Sequence, residues 1–352
     1  MFMLKFSSKI ISWYWKNRRF LPWKETKDPY KIWVSEIILQ QTRVEQGRSY
    51  YLRFIENFPS VAVLAKANEE DVLHLWQGLG YYSRARNMHT AAKQIIADFN
   101  GVFPRNYHDI LSLKGVGEYT AKAIASYSYN DAYAVVDANV KRIIARIYGI
   151  VEAVDNLSTK KQITLILEGL LDKTQAAVFN QAMMDFGSLV CLAKNPKCGI
   201  CIFSADCKAY KQNTTDLIPV KKAKIKKKKR YFHYIICVDK NKNTLIHKRI
   251  KKDIWQHLYE FPLFEDKQIL SKKDIVKKIN MPARSLALSE TKTHILSHQI
   301  INANFYILQC ENCENFSETP DYNGFKLIKL AEIRQFPFPK IIEQYITNIL
   351  FN

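Results

Sequence analysis

No apolar run in this 352-residue chain approaches the ~18 residues that a membrane helix needs, which excludes a helical span and leaves a soluble protein as the expectation. The first seventeen residues lack a small-residue cleavage site and are interrupted by Lys5, Lys9 and Lys16, so they read as a first helix rather than an export leader. Cysteines number seven, an odd count with no secretion signal. That tells against a disulfide framework and for reduced thiols or metal ligands in a cytosolic compartment. No internal repeat divides the chain. Acidic residues are scarce: 33 Asp and Glu face 53 Lys and Arg, for a net charge of +20. Such an imbalance is the footprint of a polyanionic partner, nucleic acid first, although a lysine-rich low-GC genome also produces it.

What is present suits full hydrophobic cores, since 47% of residues are hydrophobic and 12% aromatic, and the length predicts two domains. From Lys9 to about Tyr210 apolar residues recur at helical spacing. They are broken by turns such as Asp28-Pro29, Phe58-Pro59 and Phe103-Pro104, so residues 1–212 read as an all-α domain. Residues 221–230, KKAKIKKKKR, carry eight basic side chains in ten and place a basic linker over 213–230, available as a strap against phosphates. Beyond it, Tyr231 to Val238, Thr244 to Ile250 and Ile300 to Leu308 read as strands, the first two joined by a turn at 240–243. A helical stripe of Ile341, Ile342, Tyr345, Ile346 and Ile349 follows Pro339, so residues 231–352 read as α+β.

Cys191, Cys198, Cys201 and Cys207 place four soft thiol donors in one short segment, enough to wrap a metal centre. Chemistry alone also allows structural zinc, although zinc sites more often use two closely spaced pairs and only one C-x2-C occurs in this array. Cys310 and Cys313 lack further partners in sequence and read as incidental; Cys237 reads as a core residue. Leu113-Lys114-Gly115-Val116-Gly117 sits between two helical segments, and Gly115 and Gly117 let backbone N–H groups approach a phosphate. Glu36 shares an apolar helix stripe with Ile32 and Trp33, where burial would keep it protonated near neutrality, pairing with Arg43 being the bland alternative. Asp137 precedes a helical set of Val140, Ile143, Ile144 and Ile147, and an N-cap position would hold it ionised. Neither carboxyl is assigned a chemical role by spacing alone.

The combination resembles the MutY-type adenine DNA glycosylases of the helix-hairpin-helix superfamily that also contains endonuclease III. The resemblance covers nearly the whole chain. It is carried by LPWK at 21–24, DPYKIWVSEIILQQTRV at 28–44, GLGYYSRARN at 78–87, LKGVGEYTA at 113–121, VVDANVKR at 135–142 and the four-cysteine array. It implies a helical glycosylase domain with a [4Fe–4S] cluster on Cys191, Cys198, Cys201 and Cys207, followed by a Nudix-like domain reading 8-oxoguanine on the opposite strand. It further implies that Glu36 protonates adenine N7 and later activates water, and that Asp137 stabilises the sugar cation, with Tyr119 and Asn139 in support. Gln41, Leu79 and Tyr81 would wedge into the base stack, Gly115 and Gly117 would grip backbone, and Ser297 and His298 would read the lesion. A Lys at position 119 would make a Schiff-base lyase; Tyr119 implies base removal alone, leaving an abasic site. A Nudix hydrolase would need a GX5EX7REUXEE box, which is missing after residue 230.

Two positions depart from the pattern, Lys24 where Arg is usual and Leu296 where an aromatic ring is usual. The implied partner is duplex DNA with adenine opposite 8-oxoguanine or guanine. The implied setting is a monomer in a bacterial cytoplasm, at the nucleoid.

Overall fold

The structure is a computed structural model that describes residues 2–222, 227–279, 286–311, 313 and 324–350. Among the described residues no helix is long and apolar enough to cross a membrane. The chain divides into two compact units, Met1–Lys66 with Asn87–Ala223, and Ala67–Arg86 with Lys224–Asn352. Residues 67–86, which read from sequence as part of the helical half, therefore lie in the second unit.

The first unit is helical: α1 (Phe2–Asn17), α2 (Pro29–Ile38), α3 (Val44–Asn57), α4 (Val61–Lys66), most of α6 (Ser83–Asp98), α7 (Tyr107–Ser112), α8 (Glu118–Tyr129), α9 (Ala138–Tyr148), α10 (Leu157–Leu170), α11 (Ala176–Leu189) and α12 (Lys208–Lys211). Local chemistry sets its key boundaries. Asp28 caps α2 by accepting the Tyr30 N–H at 2.9 Å, and Pro29 supplies a pre-set φ in the first turn. α9 starts on the Asp137 cap and stops at Gly149, whose φ of 67° suits a residue without Cβ. Its Val140, Ile143, Ile144 and Ile147 are buried with Phe6, Ile10, Phe179 and Phe186 of α1 and α11. Each such side chain contributes about 1.5–3 kcal/mol when fully buried, so this face holds the Asp137 end of α9 in place.

The second unit carries α5 (Glu69–Leu75), β1 (Lys228–Val238), β2 (Asn243–Lys248), β3 (Tyr259–Glu260), β4 (Leu263–Asp266), α13 (Lys272–Ile279), β5 (Leu286–Ile295), β6 (Gln299–Gln309), β7 (Lys326–Lys329) and α14 (Lys340–Tyr345). One sheet runs β4-β1-β6-β5 and the other β3-β2-β7. β1 and β6 pair in parallel, Tyr231 opposite Asn302, while the remaining pairs are antiparallel. Phe232, Tyr234 and Ile236 point into a core with Phe305 and Tyr345; Ile235 and Cys237 point into another with Leu245 and Ile275. Burial on both faces explains why β1 reads as a continuous apolar run. Of the C-terminal stripe, Ile341, Ile342, Tyr345 and Ile346 are buried, while the Ile349 side chain lies outside the described residues.

The basic linker needs correction. Residues 223–226 lie outside the described set, but Lys228, Lys229 and Arg230 are the first residues of β1, paired with β6. Arg230 is buried and bonds Glu265 at 2.6 Å and Asp253 at 2.7 Å. Those counter-charges come from distant segments, so the local excess of lysine concealed a strand.

Candidate active site

Glu36, Tyr119, Asp137 and Asn139 line one cavity of about 220 Å³ in the first unit, walled also by Leu21, Trp23 and Ile32. That is below the 300–1,000 Å³ usual for drug-sized ligands and suits a single flat ring system. α2 brings Glu36 to the wall because Ile32, Trp33 and Ile37 are buried and fix the helix's rotation. Glu36 lines the cavity and is half-buried. Burial, the largest cause, pushes its carboxyl up to about 7; the nearby Asp137 adds to this, and the Tyr119 hydroxyl, donating to Glu36, opposes it. At that value the group exchanges a proton near neutral pH. No pairing with Arg43 is needed to account for it.

Asp137 behaves differently from the expectation of a simple cap. Its Oδ1 accepts the Val140 N–H and its Oδ2 accepts the Asn139 side-chain N–H, each at 2.7 Å. Burial nevertheless outweighs these bonds and the nearby Arg142, and the carboxyl stands above its ordinary value. The cap lessens the shift without reversing it.

Behind this pair lies a brace that the sequence reading missed. Asn139 accepts from Arg142 Nη2 at 2.8 Å, and Arg142 also donates to the carbonyls of Gly187 and Cys191, each at 2.7 Å. A Cβ built on Gly187 would stand 2.6 Å from the Asn139 Cβ, so only glycine admits this approach. Asp185 is fully buried and takes Arg19 at 2.7 Å and Lys24 at 2.6 Å. The departure at position 24 thus places an ammonium, rather than a fork, on a buried acid. Arg19, Lys24, Tyr127 and Gln181 also line the cavity, and none carries a sequence signal of its own beyond the LPWK match.

Cys191, Cys198, Cys201 and Cys207 converge on a second cavity, about 20 Å³, beside Arg146. Arg146 is buried; it donates to the Leu192 carbonyl at 2.6 Å and to the Cys191 sulfur at 3.4 Å. The Phe203 N–H donates to Cys201 Sγ at 3.4 Å. Burial, with smaller contributions from neighbouring sulfurs, raises Cys198 and Cys207 and pushes Cys201 up to about 11. A bound cationic centre would relieve that cost. Among the described residues no group of three or more metal-ligating side chains is arranged around one ion. An all-thiol donor set with N–H groups turned toward sulfur fits an iron–sulfur group.

The remaining expected positions fall on turns. Gly115 has φ of 78°, and a Cβ there would meet Asn87; Gly117 starts α8 facing open space, leaving room for a ligand to approach. Gln41 and Tyr81 are exposed non-glycine residues with φ of 58° and 49°, strained backbone that sequence could not announce. Leu79 is half-buried between Gly78 and Gly80, both also left-handed. Ser297 and His298 are exposed at the tip joining β5 to β6, and the Tyr81 hydroxyl meets the Ser297 hydroxyl within the second unit. On the turn before β3, Trp255 and His257 have positive φ and Trp255 packs edge-on against Phe232.

Comparison with known proteins gives two domain matches: "HhH-GPD superfamily base excision DNA repair protein" over residues 34–173 and "NUDIX domain" over 233–348. The chain is 35% identical to the adenine DNA glycosylase of Buchnera aphidicola subsp. Acyrthosiphon pisum over 349 residues, covering 98% of each. It is 36% identical to the human adenine DNA glycosylase over 213 residues, 58% of this chain and 39% of that one. Among solved structures, a thermostable thymine-DNA glycosylase aligns with TM-score 0.55 and 31% identity, covering 60% of this chain and 97% of that one. A trapped endonuclease III–DNA covalent intermediate aligns with TM-score 0.52 at 20% identity over 59% of this chain and 94% of that one, a likeness of fold.

Proposed function

Because the chain belongs to the adenine DNA glycosylase family, on an HhH-GPD base-excision-repair domain with a C-terminal Nudix-like domain, we propose that it removes adenine mispaired with 8-oxoguanine or guanine and leaves an abasic site. The enzyme is a DNA glycosylase, a hydrolase of N-glycosyl bonds. The observation that carries the finer reading is two carboxyls on one base-sized cavity, with Glu36 raised to about 7 and Asp137 held by two hydrogen bonds. Glycosidic cleavage through an oxocarbenium-like state needs an acid for the leaving group and an anion for the sugar. Glu36 in its neutral form delivers the proton to the base. Ionised Asp137 faces the developing cation, and Glu36, now ionised, takes a proton from the attacking water.

Flipping the base into the cavity costs a few kcal/mol and is least costly at a mispair. Gln41, Leu79 and Tyr81 enter the stack to hold it open, and the Gly115–Gly117 turn holds backbone phosphate. Tyr119 donates a hydrogen bond where a lyase would carry an amine, so the reaction ends at the abasic site. Cys191, Cys198, Cys201 and Cys207 would hold the [4Fe–4S] cluster, which would fix the loop that carries Lys194 and Lys197; the glycosyl cleavage itself transfers no electron. The enzyme acts as a monomer on duplex DNA, at the bacterial nucleoid.

The direct test is single-turnover release from duplexes carrying adenine opposite 8-oxoguanine, adenine opposite guanine, or thymine opposite guanine. Adenine release followed by alkali-dependent strand scission supports the reading. Release of thymine in preference, or efficient borohydride trapping, overturns it.

Tyr119→Phe removes the hydrogen bond that lowers the Glu36 pKa. The alkaline limb of the rate–pH profile, where Glu36 loses its proton, should therefore move to higher pH. A limb that stays in place or moves toward acid would show that Tyr119 does not tune this carboxyl.

Log affinity for duplex DNA should fall steeply with log salt, by ~0.9 per phosphate neutralised. Neutralising Lys221, Lys222 and Lys227 to Lys229 should make that slope shallower while leaving Arg230 in its ion pairs. An unaltered slope would mark the stretch as uninvolved.

A further inference from the structure

The turn 78–81 holds Gly78, Gly80 and Tyr81 at φ of 91°, 74° and 49°, so one non-glycine residue is kept in a left-handed conformation beside two glycines. Such backbone persists only when its flanks are held. Both flanks here are held by the Nudix-like part of the second unit. Upstream, on α5, Glu70 Oε1 accepts from Lys248 Nζ and from the Tyr259 hydroxyl, each at 2.9 Å. Its neighbour Glu69 meets His257 Nδ1 at 2.5 Å. Downstream, the Tyr82 hydroxyl donates to the Phe338 carbonyl at 3.4 Å, and Arg86 donates to the Gln256 carbonyl. His257 is itself left-handed, with φ of 68°. Between the flanks, Tyr81 reaches Ser297 at the β5–β6 tip.

We propose that residues 67–86 are a wedge carried by the recognition unit. In it Glu69 and Glu70 are positioning residues that make the stance of Leu79 and Tyr81 depend on what the β5–β6 tip meets. This rests on the reading of Tyr81 and Ser297 as residues that meet the mispair. A base that satisfies Ser297 frees or fixes the Tyr81 hydroxyl, and the anchored turn converts that exchange into a preferred wedge position. Identity of the opposite base then acts on flipping rather than on the chemistry at Glu36. The acids matter together: a lone half-exposed ion pair is worth little, whereas Glu70, shared by Lys248 and Tyr259, and the adjacent Glu69 on His257 form a network.

The test uses the full chain with Glu69→Ala and Glu70→Ala together, and Glu70→Gln as a milder variant. Amide hydrogen exchange at residues 79–82 should quicken by about tenfold or more in the double variant, as local opening becomes easier. Single-turnover rates at subsaturating enzyme should lose about fivefold or more of any preference for 8-oxoguanine over guanine opposite adenine, while the saturated rate on adenine–guanine stays within about twofold. Exchanging the charges, Glu70→Lys with Lys248→Glu, should restore part of the exchange protection. Unchanged exchange in the double variant and in Glu70→Gln overturns the proposal. So does an equal fall on both substrates, which marks a general structural role. A wild-type chain with no preference between the two mispairs overturns the assigned specificity instead, and the exchange measurement still decides the anchoring.

Discussion

Glu36→Gln should lower the single-turnover rate of base release by about a hundred- to ten-thousand-fold, the range a positioned general acid contributes. Affinity for mispaired duplex should remain, since the amide keeps the shape of the side chain in the cavity. The variant should also be the more stable protein at neutral pH, and this separates lost chemistry from lost folding. The carboxyl is raised to about 7 from an ordinary 4.5. Below pH 4.5 it is protonated folded and unfolded alike, so it costs nothing. As pH rises from 4.5 to 7 the unfolded chain gains ionisation that the folded chain resists, and stability falls by an amount on the order of 3 kcal/mol. Glutamine removes that penalty. Thermal melting at pH 8 should therefore be higher for Glu36→Gln than for the wild type, with the difference closing below pH 4.5. A variant that keeps its rate ends the proposed mechanism; one that melts earlier at pH 8 ends the assignment of a strained, neutral carboxyl.

Arg142→Gln should produce the second large effect, about a hundredfold loss of rate through a residue that does not touch the cavity. Its guanidinium holds Asn139, which holds Asp137, and it also caps the carbonyls of Gly187 and Cys191. Displacement of a reacting group by ~1 Å can cost a hundredfold. Each buried carbonyl left unpaired costs about 1–3 kcal/mol more. Arg142→Lys should rescue little, because one ammonium cannot serve three acceptors fixed by a planar fork. Rate, melting temperature and bound iron should be measured together, since the Cys191 carbonyl belongs to the four-cysteine loop. Wild-type rate in either variant would show that Asp137 is held without this brace.

Much of the architecture was legible because it depends on local pattern. Helical periodicity over the first half, the alternation to short strands after it and the four-cysteine spacing all correspond to elements of the structure. The placement of Glu36 on a buried helix stripe was also readable, since Ile32 and Trp33 fix which way the helix faces. What escaped depends on contacts between distant residues. Arg230 looked like part of a repulsive linker because Asp253 and Glu265 are far along the chain. Gly187 carried no mark at all, as its importance is the nearness of Asn139. Asp137 shows a different limit: its cap was foreseeable, but the extent of burial that raises it is a property of the whole cavity.

The division of the chain has a consequence for how the protein is made. The backbone passes between the two units after Lys66, after Arg86 and again near Ala223. On the ribosome, residues 67–86 therefore emerge long before the segments to which Glu69 and Glu70 attach. A nascent chain stalled or truncated near residue 223 would retain its cysteine loop and both carboxyls yet lack Lys248, His257 and Tyr259, the partners of Glu69 and Glu70, so it would keep the residues of the chemistry while losing the hold on the 78–81 turn.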